Sequence, residues 1–284
     1  MEVSYYPGCT AHSTSVEYSM SIKSVCNALG IKLRELDDWN CCGGASAKSL
    51  SNLLGLALPA RNIAQAQKRD LPLVIPCTGC FNAVKRAQDA LENDPVMKEQ
   101  IEDIVGFTYN GNLSVKAIHE VVLELVGLDR IREVIKKPLT SLKVVSYYGC
   151  QLVRNPQVVH MGDYENPMFF DEIVAALGAE ALDWSYKTDC CGVDASLTHT
   201  EVANDRADKI CSMAVEAGAD CIITSCGLCQ INLDMYQTGE GYRKIPVLYL
   251  SELMGIAMDL PNRNVWWGKH IVDPRELLKS RGLQ

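Results

Sequence analysis

The strongest constraint on this chain is that its 284 residues are written twice. The stretch VSYYPGC at Val3–Cys9 returns as VSYYGC at Val145–Cys150. Each copy then runs through a helical pattern ending in Ala-Leu-Gly, an Asp-Trp pair (Asp38-Trp39; Asp183-Trp184) and a vicinal Cys-Cys-Gly (Cys41-Cys42-Gly43; Cys190-Cys191-Gly192). After that pair the copies stay in register, so each reads C-x(31 or 39)-CC-x34-C-x2-C, closing on Cys77/Cys80 and Cys226/Cys229. A repeat of this length fixes both the number of domains and their symmetry. It predicts two homologous domains, residues 1–137 and 138–284, joined in the charged, Pro-broken stretch Leu128–Ser141. The eight-residue difference between copies is expected in surface loops around Asp183-Trp184 and Ser185–Asp189.

Short apolar, β-branched runs predict strands at Val3–Tyr6, Leu73–Pro76, Lys143–Tyr148 and Cys221–Ser225. Apolar spacing predicts helices at Ser15–Leu29, Leu50–Lys68, Phe169–Leu177 and Glu201–Ala217. Each copy ends on an extended run and an acid-bearing helix start, VKAIHEVV and VLYLSELM. Strand alternating with helix implies an α/β fold with largely parallel sheets and flanking helices, the halves related by a pseudo-twofold axis. In such sheets ligands gather beyond the strand ends, and every motif cysteine sits just after a strand or at a helix start.

Ten of the thirteen cysteines recur: Cys9, Cys41, Cys42, Cys77 and Cys80 in the first copy, Cys150, Cys190, Cys191, Cys226 and Cys229 in the second. Cys26, Cys211 and Cys221 do not, and read as small buried hydrophobes. Vicinal cysteines rarely bridge each other, because the ring they close is strained. A net charge of -8, a start without a signal peptide's basic and apolar regions, and no membrane-length apolar run point to a cytoplasmic protein that does not bind nucleic acid. Thiols stay reduced there, so the cysteines read as metal ligands or redox groups before disulfides. Tetrahedral zinc takes four ligands and would leave one sulfur over; a thioredoxin-like site has no use for the distant pair; an ordinary cubane also takes four. Five thiolates suggest an iron–sulfur cluster with additional ligation. The glycines beside them (Gly8, Gly43, Gly44, Gly79, Gly149, Gly192, Gly227) let backbone approach the cluster.

At these motifs the sequence resembles the CCG-domain family, and within it the B subunits of methanogen heterodisulfide reductases, over nearly the whole chain. That resemblance implies that each five-cysteine set holds a non-cubane four-iron four-sulfur cluster, both facing a common cavity. It implies reduction of the coenzyme M–coenzyme B disulfide to two thiols. It also implies a C subunit carrying cubane clusters and a flavin-bearing, electron-bifurcating A subunit as partners, fed by hydrogenase or formate dehydrogenase. Disulfide reduction takes two electrons and a cluster normally transfers one, so the doubled architecture suggests homolytic S–S cleavage with one cluster set against each sulfur.

Coenzyme M carries a sulfonate and coenzyme B a phosphate and a carboxylate, so an acidic protein must supply local cations. Candidates near the cysteines are Lys48, Arg154, Lys187, His12, His160 and His199. His119, opposite Ser251 in the other copy, suits capping or packing better than proton transfer. Of the tyrosines before the first ligand (Tyr5, Tyr6, Tyr147, Tyr148), strand alternation predicts that one of each pair packs in the core and the other approaches the cavity. A competing reading is a CCG-type electron-transfer or quinone-linked subunit of a flavin dehydrogenase complex of the succinate, lactate or glycolate type. Against it, the chain lacks the C-x2-C-x2-C-x3-C-P run usual in such subunits. A structural zinc protein is the third.

Overall fold

The computed structural model describes residues 1–284, the side chain of Ala45 excepted. Eight strands form two four-stranded sheets, all neighbours parallel. The first has the order β2-β1-β3-β4, from β1 (Glu2–Tyr5), β2 (Lys32–Glu35), β3 (Leu73–Ile75) and β4 (Val115–Ala117). The second repeats it as β6-β5-β7-β8, from β5 (Lys143–Ser146), β6 (Glu180–Ala181), β7 (Cys221–Thr224) and β8 (Val247–Tyr249). Parallel neighbours need crossover connections, and helices Val16–Ala28, Asn52–Ala66 and Thr78–Asn93 serve the first sheet as Phe169–Ala176, Thr200–Glu216 and Gly227–Met235 serve the second.

This strand order places the functional region. From β1 the chain steps outward to β2, then returns to β3 on the other side, so the direction of winding reverses between β1 and β3. Connections diverge at such a point and leave a crevice at the carboxyl ends of the strands. Cys9 follows β1 and Cys77 follows β3; Cys150 follows β5 and Cys226 follows β7. Both sets therefore start at the crevice of their own sheet.

The edge strands β2 and β6 lie in the segment after Ala-Leu-Gly, where alternating charge hides them: KLRE of β2 is only half-covered. The insertion is not where the spacing suggested. Thirteen-residue helix Val16–Ala28 begins shortly after Cys9, whereas eight-residue helix Phe169–Ala176 waits until the end of a long segment after Cys150. The extra residues therefore lie in Gln151–Met168, beside the crevice rather than around Asp183-Trp184.

The two halves share a core. One cluster of buried side chains runs from Val25, Leu56 and Phe81 to Phe170, Leu253 and Trp266. Helix Val16–Ala28 of the first half lies against helix Leu250–Ala257 of the second, with Tyr18 stacked on Tyr249 at 4.1 Å and Ser21 bonded to Ser251 at 2.7 Å. Cys26, Cys211 and Cys221 are all buried among apolar side chains.

Candidate iron–sulfur site

All thirteen cysteines are free thiols, and the recurrent ones gather in two nests. In the first, Cys9 and Cys41 bring their sulfurs to 3.7 Å at the surface, and Cys42, Cys77 and Cys80 lie beneath. In the second, Cys191 and Cys229 are 3.6 Å apart, Cys226 is buried beside them and Cys190 is exposed. The nests meet where Cys77 and Cys226, at the starts of helices Thr78–Asn93 and Gly227–Met235, lie close enough that Cys226 pushes the Cys77 thiol up and Cys77 helps to lower that of Cys226. Tyr18 pins this meeting point, its hydroxyl lying 3.0 Å from the carbonyls of Pro76 and Ser225 and 2.7 Å from Ser225 Oγ.

The backbone around each nest is shaped for large sulfur-rich contents. Gly8 and Gly149 adopt φ of 78° and 68°, and a Cβ there would lie 3.0 Å from Cys80 Sγ and 3.3 Å from Cys229 Sγ. One thiol in each pair is readied as a thiolate by donors. Cys41 is held below the usual thiol range by the thiols of Cys42 and Cys9 and by the Gly43 N–H. Cys190 is lowered to about 6 by the Cys150 thiol and, against the pull of burial, by the Gly192 N–H. Thiolates are what metal ligation requires. Among the described residues no three Cys, His, Asp or Glu side chains converge as a single-ion site would need. At the second nest five thiols line one cleft, with glycine backbone against the sulfurs, and that donor set, repeated in the first nest, fits a core of several irons.

Tyr6 and Tyr147 hold the vicinal pairs. Ser4 pairs with Leu73 and Val145 with Ile222, so Tyr6 answers Tyr147, one residue out of step with the apparent VSYY match. Tyr6 Oη donates to Asn40 O at 2.8 Å and Tyr147 Oη to Asp189 O at 2.6 Å, each the carbonyl just before a Cys-Cys pair. Contrary to expectation all four tyrosines are fully buried; Tyr5 and Tyr148 pack on the opposite face, Tyr148 bonded to Asp171.

A cleft of about 500 Å³ opens over the second nest. Cys150, Cys190, Cys191, Cys226 and Cys229 all line it, together with Lys48, Arg86 and Arg154. None of these three cations has a carboxylate partner among the described residues. Arg86 is partly buried, which lowers its value by desolvation. It was not foreseen: it occurs once, on the flank of helix Thr78–Asn93, and only its position in the crevice marks it. Of the other candidates, Lys187 is 3% exposed and ion-paired with Asp171 and Asp183. Its carbonyl accepts from the Tyr148 and Gly149 N–H groups, so it braces the Cys150 loop instead of facing the cleft. His12 stacks on Trp39 and meets Glu35 at 3.2 Å beside the first nest. His160 and His199 are exposed and line no part of the cleft. His119 is packed on Phe169 at 4.3 Å, and burial lowers it to about 3.

The cysteine-rich domain family (CCG) matches residues 3–85 and 144–234, both nests included. The chain belongs to this family. Over 97% of its length it is 32% identical to the 8-methylmenaquinol:fumarate reductase membrane anchor subunit of Wolinella succinogenes, covering 99% of that protein. It is 30% identical over 90% of its length to the B subunit of the ferredoxin:CoB-CoM heterodisulfide reductase of Methanosarcina mazei, covering 89% of it. A protein of Archaeoglobus profundus that is itself named for its likeness to the B subunits of heterodisulfide reductases is 26% identical over 98% of the chain. Among solved structures, that of a hypothetical protein from Helicobacter pylori matches with a TM-score of 0.75 over 95% of this chain, at 14% identity. This chain spans about half, 51%, of that one, and the likeness supports the fold. CCG membership and the heterodisulfide reductase relatives imply iron–sulfur clusters, and those relatives are themselves named as subunits of larger enzymes. Among the described residues no helix is long and apolar enough to cross a membrane.

Proposed function

We propose that this CCG protein is the disulfide-reducing subunit of a cytoplasmic heterodisulfide reductase-type complex, its substrate the coenzyme M–coenzyme B disulfide. The two repeats, divided at 137/138, would each hold one non-cubane four-iron four-sulfur cluster, on Cys9, Cys41, Cys42, Cys77 and Cys80 and on Cys150, Cys190, Cys191, Cys226 and Cys229. When bound, such clusters supply electrons one at a time. The overall change is RSSR′ + 2e⁻ + 2H⁺ → RSH + R′SH: the S–S bond breaks and two S–H bonds form. Electrons would arrive through a C-type cubane relay and an A-type flavin subunit, fed by hydrogenase or formate dehydrogenase.

The observation carrying this reading is the cleft, where Lys48, Arg86 and Arg154 stand over five thiols. Unpaired cations in an acidic protein select an anionic ligand, binding it by charge-assisted hydrogen bonds. The chain's own part is to hold the anionic ends, to fix the sulfurs through Tyr6, Tyr147 and the glycines, and to exclude bulk water from the buried thiols. Lys187, His12, His160 and His199 drop out of the substrate-binding set.

A second reading, a quinone-linked subunit of a fumarate or succinate complex, is favoured by the 32% identity to the Wolinella protein. A quinone has no anionic group to answer the three cations. Anaerobically prepared protein, given a reduced viologen dye and the mixed disulfide, should release two thiols per disulfide. It should contain about eight irons and eight acid-labile sulfides per chain. Absence of iron, or reduction of a menaquinone analogue with no thiol release, would overturn the proposal in favour of another cofactor or the second reading.

A further inference from the structure

The two walls of the cleft differ in kind, although both are built from repeated elements. Helix Thr78–Asn93 lines it with Gly79, Asn82, Ala83 and Arg86, spaced i, i+3, i+4 and i+7, so one face of that helix follows the cleft for two turns. Helix Gly44–Leu50 adds a shorter face, from Gly44 to Lys48. Each face begins at a glycine two residues after a cysteine of the first nest, Cys77 or Cys42, and ends at a cation. A Cβ on Gly79 would meet only Cys77 Sγ, at 4.0 Å, and one on Gly44 nothing within 4 Å. Asn82, midway along the longer face, donates from Nδ2 to Gln151 O at 2.8 Å and to Arg154 O at 3.3 Å, which draws Arg154 to the same side. The opposite wall sets Leu228 where the repeat has Gly79 and Val193 where it has Gly44. Asp194 beside Val193 also lines the cleft there, and its carboxylate repels an anion. The residues that answer Lys48 and Arg86 in the second half are Leu197 and Met235, so that half repeats neither cation.

Helix geometry sets the distance from sulfur to cation. At about 1.5 Å per residue, Lys48 lies about 6 Å beyond Gly44 and Arg86 about 10 Å beyond Gly79, and helical side chains lean back towards the N-terminus. The charged heads therefore stand roughly one to two helical turns, about 5–10 Å, from the sulfur end. An extended two-carbon link spans less than one such turn. We infer that the cleft measures its ligand, selecting a thiol or disulfide whose anionic group lies beyond an aliphatic spacer longer than two carbons. The sulfur sits at the nests, the spacer runs over Gly79 and Ala83 with Leu228 and Val193 across from it, and Arg86, Lys48 and Arg154 hold the anion. This rests on the proposed function, since the ligand's sulfur is what brings it to the nests, and adds the chain geometry that the cleft selects.

The test titrates anaerobic, iron-loaded full-length protein with four thiols by isothermal titration calorimetry and records the EPR spectrum at each endpoint. The thiols are 2-mercaptoethanesulfonate, 6-mercaptohexanesulfonate, 11-mercaptoundecanesulfonate and the neutral 6-mercaptohexanol. In wild type the six-carbon sulfonate should have a dissociation constant about tenfold or more below those of the two-carbon sulfonate and the neutral thiol. The eleven-carbon sulfonate overshoots the cations and should gain nothing further. Arg86→Gln should raise the dissociation constant of the six-carbon sulfonate by about threefold or more and leave that of the neutral thiol unchanged. Leu228→Ala should weaken both six-carbon thiols alike. Equal affinity for the two- and six-carbon sulfonates, affinity that keeps rising to eleven carbons, or an Arg86→Gln protein with the wild-type preference overturns this inference and leaves the proposed function standing. A neutral thiol that binds as tightly as its sulfonate overturns both the inference and the role given to the cations. No heat and no spectral change with any of the four overturns the proposed function as well. The wild-type series needs no substitution, so it decides the matter even where a variant fails to fold.

Discussion

Gly149 shows how closely single residues are fitted to the sulfurs. With φ of 68° and a would-be Cβ 3.3 Å from Cys229 Sγ, Gly149→Ala should cost about 1–2 kcal/mol in backbone strain and push on a ligand. Iron content should fall towards half because only the second nest is disturbed, and Gly8→Ala should do the same to the first; full iron loading in both variants would refute this. Tyr147→Phe should lower stability by about 1 kcal/mol in urea titration, since it removes the donor to Asp189 O, while Tyr5→Phe, whose hydroxyl has no partner, should be close to neutral. The gathering of the recurrent cysteines was legible in the sequence because repetition separates the clustered thiols from core thiols such as Cys26. The tyrosine equivalence was not, because the matching letters are shifted by one residue, and in a strand one residue reverses the face. Arg86 was invisible for a related reason: a lone cation on a helix looks like solvated surface until the topology places that helix at the crevice.

At the scale of elements, the acid-bearing helix starts proved to be capping devices. Glu120 accepts the Ala117 N–H at 2.6 Å, and Glu252 accepts the Tyr249 N–H at 2.9 Å. The second is buried completely and carries an extra partner, His270 Nε2 at 3.0 Å. Burial opposes a charge on His270, but Glu252 outweighs it, with Asp234 and Glu17 in support, and its value rises from 6.5 to about 9. A raised folded value means that the protonated imidazole stabilises the fold fully below about pH 6.5, and that this contribution disappears as pH climbs through 9. Wild-type stability should therefore decline between those limits by on the order of 2 kcal/mol more than that of His270→Gln; parallel pH profiles would exclude the pairing. Helices Val16–Ala28, Asn52–Ala66 and Thr200–Glu216 and the central strands were readable from apolar period and length, whereas the 16-residue helix Thr78–Asn93 was not among the predicted ones. The outer strands β2 and β6, the Gln151–Met168 insertion and this buried pair were not, since each depends on which elements come to lie side by side.

At the scale of the whole molecule, two repeats do not make two independent folding units. The carbonyl of Ala257 accepts the N–H groups of Lys136 and Lys137 at 2.8 and 2.9 Å, so the joint between repeats is tied onto a second-half helix. Cutting there would expose Tyr18, Ile22 and Val25 on one side and Leu250, Leu253 and Tyr249 on the other, all under 4% exposed in the intact chain. Burying a side chain of this size contributes roughly 1.5–3 kcal/mol, so the lost interface is comparable to the total stability of a domain. It would also part the Tyr18 hydroxyl from Ser225, leaving it only Pro76 O and breaking the tie between the approaches to Cys77 and Cys226. The intact protein should therefore unfold in one calorimetric transition with equal calorimetric and van't Hoff enthalpies, and fragments 1–137 and 138–284 should be unfolded or insoluble when made alone. Two resolved transitions, or a soluble 1–137 fragment that unfolds cooperatively, would show that the nests are held by separate domains and that their contact at Cys77 and Cys226 is incidental to the fold.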